Sequence, residues 1–305
     1  MRRLSQRGAA LIVAMLVAAL AATVAISLAA GQSQWLAAVA QRRDVVQAEA
    51  LAQAGVQWAR QILFEDARIS KIDFPGEPWA LPLPPTPLEN GSIEGRIVDA
   101  QSMLNLNNLG LVDAQAAVER ARFERLFSRL GLPSALLDTI GDWVDTDGNT
   151  RPAGAEDGWY SQQPNPMLAA NAPLLRTAEL TLVRGVSPAT MAALASLVVA
   201  LPTGAKINLN TAPAPVLASV LIGLDESALP ALIADRAKKP YESIAEFRSR
   251  LPQGATIDND NDFSVGSDYF LVAVRARQGA TEIQARALLK RGNGGWPAVI
   301  WQTME

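Results

Sequence analysis

Residues 141–160 read GDWVDTDGNTRPAGAEDGWY, and their acids have a spacing that could do chemistry. With Asp145 as position 1 of a twelve-residue loop, Asp147 falls at position 3, Asn149 at 5 and Glu156 at 12, while Arg151 offers a carbonyl at 7. Hard oxygen donors at alternate positions, closed by a glutamate, are what an EF-hand loop supplies to Ca²⁺, which takes roughly six to eight oxygens. Asp142 and Asp157 are further candidate ligands. The fit is incomplete: Thr150 stands at position 6, where glycine makes the sharp turn, and Pro152 and Gly154 lie inside the loop. The same run, D-x-D-G-N, is also ordinary turn chemistry, and paired carboxylates can act as general acid and base. A calcium loop, a solvated turn and a catalytic pair are therefore the three readings.

Composition narrows the choice. The 305 residues contain no histidine and no cysteine, which excludes Ser-His-Asp and Cys-His catalysis, HExxH zinc chemistry and thiolate sites. A metal here must be bound by oxygen, and an enzyme is not expected. The net charge of −3 gives no general pull toward nucleic acid or anionic lipid. A second acidic run, IDNDNDFSVGSDYF at 257–270, carries Asp258, Asp260, Asp262 and Asp268. No glutamate closes a loop there, and it reads as an exposed linker leading into late strands.

Residues 206–251 resemble a helix-hairpin-helix or SAM-like unit, in which INLNTA leads into a helix, a turn and a second helix. Units that grip DNA this way present a G-x-G hairpin to phosphate, but here Gly223 is followed by Leu224 and Asp225. Lys206, Arg236, Lys238, Lys239, Arg248 and Arg250 are offset by Asp225, Glu226, Asp235, Glu242 and Glu246. Nonspecific DNA affinity needs uncompensated cations, so a scaffold role is expected and no nucleic-acid partner. The earlier LNLNNL repeats the N-L-N pattern, so the segments from Asn105 and from Asn208 read as divergent copies of one helical module.

The elements that must position these groups follow from periodicity. Residues 9–30 are apolar, without charge or proline, and as a helix reach about 33 Å, enough to span a bilayer. Arg2, Arg3 and Arg7 precede the run, which puts the N-terminus in the cytoplasm and the bulk of the chain across the membrane. Helical spacing of apolar residues continues to about residue 64, predicting one helix of roughly 84 Å; the alternative is a break near residues 31–33. Six prolines between Pro75 and Pro87 predict an extended linker. Residues 91–100 predict a strand, residues 118–130, 133–144, 188–201, 213–221 and 228–236 helices, and residues 269–275 and 282–289 a hairpin around Gln278-Gly279, with a short edge at 298–302. A strand before the helices and strands after them predict an α+β fold, a small antiparallel platform with helices inserted into it.

In order along the chain, the R-G before an apolar helix, LNLNNL, DWVDTDGN with GAEDGWY, INLNTAP and SDYFLVAVRA resemble the minor pseudopilin K group of type II secretion systems, the GspK group. The resemblance implies a type IV pilin-like long N-terminal helix and small antiparallel sheet carrying a large inserted α-helical domain with two SAM-like units. It divides the chain into a prepilin leader (1–8), a transmembrane and periplasmic helix (9–65), a proline-rich loop and first platform strand (66–104), a first helical unit with the acidic loop (105–205), a second unit (206–256) and C-terminal platform strands (257–305). It implies cleavage between Gly8 and Ala9 by a prepilin peptidase, N-methylation, inner-membrane residence, structural Ca²⁺ mapped onto Asp145, Asp147, Asn149 and Glu156, and partnership with minor pseudopilins I and J at the tip of a pseudopilus that supports export of secreted proteins. Pilin-like chains mostly carry glutamate at the fifth mature position, and here that position is Val13. A carboxylate within lipid is expensive unless a partner meets it, so a subunit with no neighbour above it should lack the acid. The second reading, from the 206–251 unit, is a membrane-tethered DNA-binding component of a competence-type uptake apparatus. Replacing Gly8 with a bulky residue is expected to leave the leader attached and to abolish secretion; normal processing of that variant, seen by mass spectrometry of the N-terminus, would contradict the leader assignment.

Overall fold

The computed structural model describes residues 7–292 and 295–305, with backbone only at Arg7 and Gly8. Residues 1–6, including Arg2 and Arg3 of the expected leader, lie outside the described residues. The first element is α1 (Arg7–Ile69), 63 residues that pass through Gly31 without a break and extend about 95 Å. Strands β1 (Leu83–Leu88), β2 (Gly91–Asp99) and the two-residue β3 (Leu104–Asn105) follow. Next come α2 (Ala114–Leu130), α3 (Ala135–Val144), α4 (Asp157–Tyr160) and α5 (Pro188–Leu194), and then the short β4 (Val198–Val199) and β5 (Ile207–Asn208). Helices α6 (Ala214–Val220), α7 (Leu229–Lys238) and α8 (Ile244–Ser249) lead to β6 (Phe263–Ser264) and to the long β7 (Tyr269–Gln278), β8 (Thr281–Lys290) and β9 (Ala298–Met304).

The platform is a five-stranded antiparallel sheet in the order β1-β2-β7-β8-β9, and all helices after α1 are inserted between β2 and β7. The β7–β8 hairpin closes with Gly279 at φ +56°, the positive φ that a two-residue turn requires at its first position. Helix α1 lies on this sheet through one stripe only. Ala48, Ala52, Val56, Ala59 and Leu63 recur every three or four residues and are at most 4% exposed. Small residues let the helix come close: a Cβ on Gly55 would lie 2.6 Å from Val274 Cγ1 of β7. Ile97, Trp79, Phe270 and Val272 complete this core.

Two expected elements need correction. The proline-rich segment is extended, but its second half is the edge strand β1 rather than a free linker. Proline donates no ladder hydrogen bond and is tolerated where one side of the strand is unpaired; Asn90, at φ +62°, turns the chain into β2. The helix expected over 188–201 ends at Leu194, because Val198-Val199 pairs in parallel with Leu104-Asn105. The equivalent pairing in the second unit joins Ile207-Asn208 to Phe263-Ser264.

The asparagines of the two N-L-N motifs do the same work in each unit. Asn105 and Asn208 each accept the backbone N–H two residues on. Asn107 then clasps Leu174 through both ends of its amide, as Asn210 clasps Tyr241. Each loop is thereby tied to a segment far along the chain. A buried polar network joins the insert to the sheet: Asp99 Oδ2 accepts from Asn208 Nδ2, Thr211 Oγ1 and Ser267 Oγ, and Gln101 bridges Lys206 and Tyr269. Burial pushes Asp99 up to about 6 against those hydrogen bonds.

The second acidic run is exposed at Asp258, Asp260 and Asp268, as expected, but it is tied down rather than a free linker. The side chain of Arg122 on α2 is fully buried, and it bonds Glu119 at 2.6 Å, Asp262 at 2.7 Å and Asp258, while Asp260 pairs with Arg248. These carboxylates pin the segment before β6 onto the first helical unit. Removing one partner of a buried ionic cluster strands the rest, at a cost of about 3–5 kcal/mol. Arg122→Ala is therefore expected to lower unfolding stability by about that amount, measured by denaturant titration; a loss no larger than that of an exposed arginine such as Arg275 would contradict the clamp.

Candidate functional site

The acidic loop begins where α3 stops. Leu136, Leu137, Ile140, Trp143 and Val144 anchor α3 in the core of the insert, and Asp145 caps its end by donating its N–H to Gly141 O. This fixes Asp142 and Asp145 inside, at 0% and 3% exposure. The chain then turns outward. Asp147 accepts the N–H of Asn149 at 2.8 Å, and both residues are exposed. It returns through Gly154, where a Cβ would collide with the Asp142 carboxylate, and brings Glu156 to 6% exposure. Tyr160 and Trp143 close the far side edge to face, with ring centroids 5.1 Å apart.

The loop thus gathers Asp142, Asp145 and Glu156 inside and leaves Asp147 and Asn149 at the rim. Its positive counterpart is the side chain of Arg151, whose Nη1 bonds Asp142 Oδ1 at 2.8 Å and Asp145 Oδ2 at 2.5 Å. The sequence offers Arg151 as a backbone carbonyl at position 7, and its guanidinium bridge shows there solely as a cation set among acids. Among the described residues, Asp145 Oδ1 and both carboxylate oxygens of Glu156 are buried without a hydrogen-bond partner. Burial, then the charges of Asp142, Asp145, Asp157 and Asp147, push Glu156 up to about 7. Burial also raises Asp145 against the pull of Arg151. Orphaned hard oxygens in excess negative charge are donors that could hold an oxygen-bound cation. A tighter gathering, with one oxygen from each of three carboxylates within 4.8 Å of the others, occurs among the described residues only at Asp66, Asp73 and Glu77.

The other expected positions lie on α1. Gly8 and Ala9 are helical, and Val13 is 60% exposed on a stretch, 9–39, where every residue is exposed. Among the described residues α1 is the helix long and apolar enough to cross a membrane. Beyond the apolar run, Trp35, Leu36, Val39, Val46 and Trp58 remain exposed.

Family models described as type II secretion system (T2SS), protein K, match residues 102–203 and 207–266. The type II secretion system protein K of Pseudomonas aeruginosa is 31% identical, with 100% of this chain and 94% of that protein aligned. The protein of the same name from Pectobacterium carotovorum is 29% identical over 94% of this chain and 93% of its own length. The chain belongs to the type II secretion system protein K family. Its fold matches a chain in the crystal structure of the GspK-GspI-GspJ complex from enterotoxigenic Escherichia coli, with a TM-score of 0.77, 25% identity, and coverage of 87% of this chain and 98% of that one. The pilin-like α+β fold is thus that of a secretion-system pseudopilin, with one N-terminal apolar helix fit for a single-pass anchor.

The DNA-binding alternative finds no support in this family, and the geometry of the second unit accords with that. Arg236 donates to Leu209 O and Ala212 O, Arg250 pairs with Asp235, and Lys239 pairs with Glu246. These cations hold the unit together instead of facing a phosphate.

The loop also sets a pH dependence. The unfolded chain releases the Glu156 proton near the ordinary value of 4.5, whereas the native fold keeps it to about 7. Native stability from this group is full below the unfolded value and is lost as pH rises through the folded one. Without calcium the melting temperature is expected to fall between about pH 5 and pH 7, and saturating Ca²⁺ to restore it at pH 7. Glu156→Gln should flatten part of that fall and shrink the calcium response; an unchanged pH profile and calcium shift in the variant would contradict the site.

Proposed function

We propose that this chain is the minor pseudopilin that caps the periplasmic pseudopilus of a type II secretion system together with pseudopilins I and J. The observation that carries the reading is the solved relative, a GspK held in a complex with GspI and GspJ, whose fold this chain shares along almost its whole length. Three features support the tip position. The exposed apolar face of α1 beyond residue 30 needs neighbours. Val13 stands where a pilin-like chain keeps an acid for the terminal amine of the subunit above. The helical insert is bulky, and a bulky insert suits the end of a filament better than its interior.

In this reading the peptidase for prepilins cuts between Gly8 and Ala9, the new N-terminus stays on the cytoplasmic side of the inner membrane, and the rest is periplasmic and meets exported substrates. Asp145, Glu156 and Asp142 hold a structural Ca²⁺, with Asp147 and Asn149 on its rim. The ion supplies charge neutralisation that fixes the loop between α3 and α4, and does no chemistry on a substrate. Co-expression with pseudopilins I and J is expected to give a complex that survives affinity purification through any one member. Recovery of this chain alone, or comparable capture by duplex DNA in low salt, would overturn the proposal.

A further inference from the structure

A second gathering of carboxylates lies where the exported end of α1 meets the proline-rich crossing. Asp66 in the last turn of α1, Asp73 and Glu77 are all buried, and each places one oxygen within 4.8 Å of the others. One oxygen of each is already engaged. Asp66 Oδ2 accepts from Arg291 at 2.8 Å, Asp73 Oδ2 accepts from Arg291 and from the Ser267 N–H, and Glu77 Oε2 accepts from the Phe74 N–H at 3.0 Å and from Trp79 Nε1 at 2.8 Å. The second oxygen of each carboxylate is not used by these bonds. Asp73 is 0% exposed, and its Oδ1 has no partner among the described residues.

Three buried carboxylates therefore face one guanidinium, an imbalance that a low-dielectric setting opposes strongly. No thiolate or imidazole donor exists anywhere in the sequence, and a site made of carboxylates suits an ion that prefers oxygen. We propose that Asp66, Asp73 and Glu77 bind a divalent cation of the calcium or magnesium class, at a site separate from the acidic loop.

The position gives the ion a structural task. Asp73 donates its N–H to Val265 O and accepts from Asn208 Nδ2 through its own carbonyl, so the cluster touches the second helical unit. Asp66 belongs to α1, and Arg291 follows β8. A cation here locks the membrane-emergent helix, the sheet and the insert at one junction.

The test uses the full-length chain in detergent, with the acidic loop disabled by Asp145→Asn and Glu156→Gln. Equilibrium dialysis against Ca²⁺ is expected to retain one bound ion per chain, lost on adding Asp73→Asn. Terbium in place of calcium should give luminescence sensitised by Trp79, which lies against Glu77, and Trp79→Phe should reduce it at least about tenfold. Absence of bound calcium in the loop variant would overturn the site, as would undiminished binding in a folded Asp73→Asn chain. Should Asp73→Asn fail to fold, the terbium signal decides: luminescence that Trp79→Phe leaves unchanged would also overturn it.

Discussion

The packing of α1 on the sheet through a single stripe of small residues is the contact on which the other features depend. Ala48, Ala52, Val56, Ala59 and Leu63 fit against β7 and β8 only because they are small or aligned on one face, and Gly55 brings the backbones closer still. Burial of this stripe holds the C-terminal end of a 63-residue helix and leaves residues 9–39 exposed. A helix that long cannot be stable as a bare apolar rod in water. Its apolar first part is fit for lipid, and in the proposed assembly neighbouring subunits cover the part between membrane and sheet. In that reading the same continuous element is anchor, interface and core.

The insert is attached to this platform by an apolar cluster, in which Met103, Val199 and Leu201 meet Tyr269 and Leu288, and by buried polar groups. Asp99, Asn208, Thr211, Ser267 and Gln101 form a buried network between sheet and helices, and Arg122 fastens the acidic segment before β6 to α2. Such networks fix geometry because each member loses much if a partner moves. The cost is an accumulation of buried negative charge, visible in the raised values of Asp66, Asp99 and Glu156. Cations at the acidic loop and at the α1 junction would relieve it without altering the apolar cores, which makes divalent ions natural structural partners for a protein lacking histidine and cysteine.

What was legible in the sequence was what repeats or runs long. The 22-residue apolar run, its amphipathic continuation and the alternating late strands have periods that local chemistry enforces, so the platform and its spine were readable. The two-residue parallel pairings were not, since Val198-Val199 continues a helical pattern and its partner lies about ninety residues away. Nor was β1, because proline suppresses strand propensity except at an edge, and edge position is a tertiary fact. In the site, oxygen donors at EF-hand spacing pointed to Asp145 and Glu156, and both are buried. Spacing did not reveal that Asp147 and Asn149 stay outside, that Arg151 bridges two of the acids, or that Asp66, Asp73 and Glu77 converge across a proline-rich turn.

The most direct measurement is photo-crosslinking from single positions along α1 in secreting cells, made clean by the absence of native cysteine. A thiol-attached photoreactive group on Val39→Cys, which is exposed beyond the apolar run, should yield adducts with smaller pseudopilins. The same group on Val56→Cys, inside the buried stripe, should not. If Val39→Cys gives no protein adduct while secretion continues, the exposed half of α1 is not an interface, and the capping role proposed for this family member falls with it.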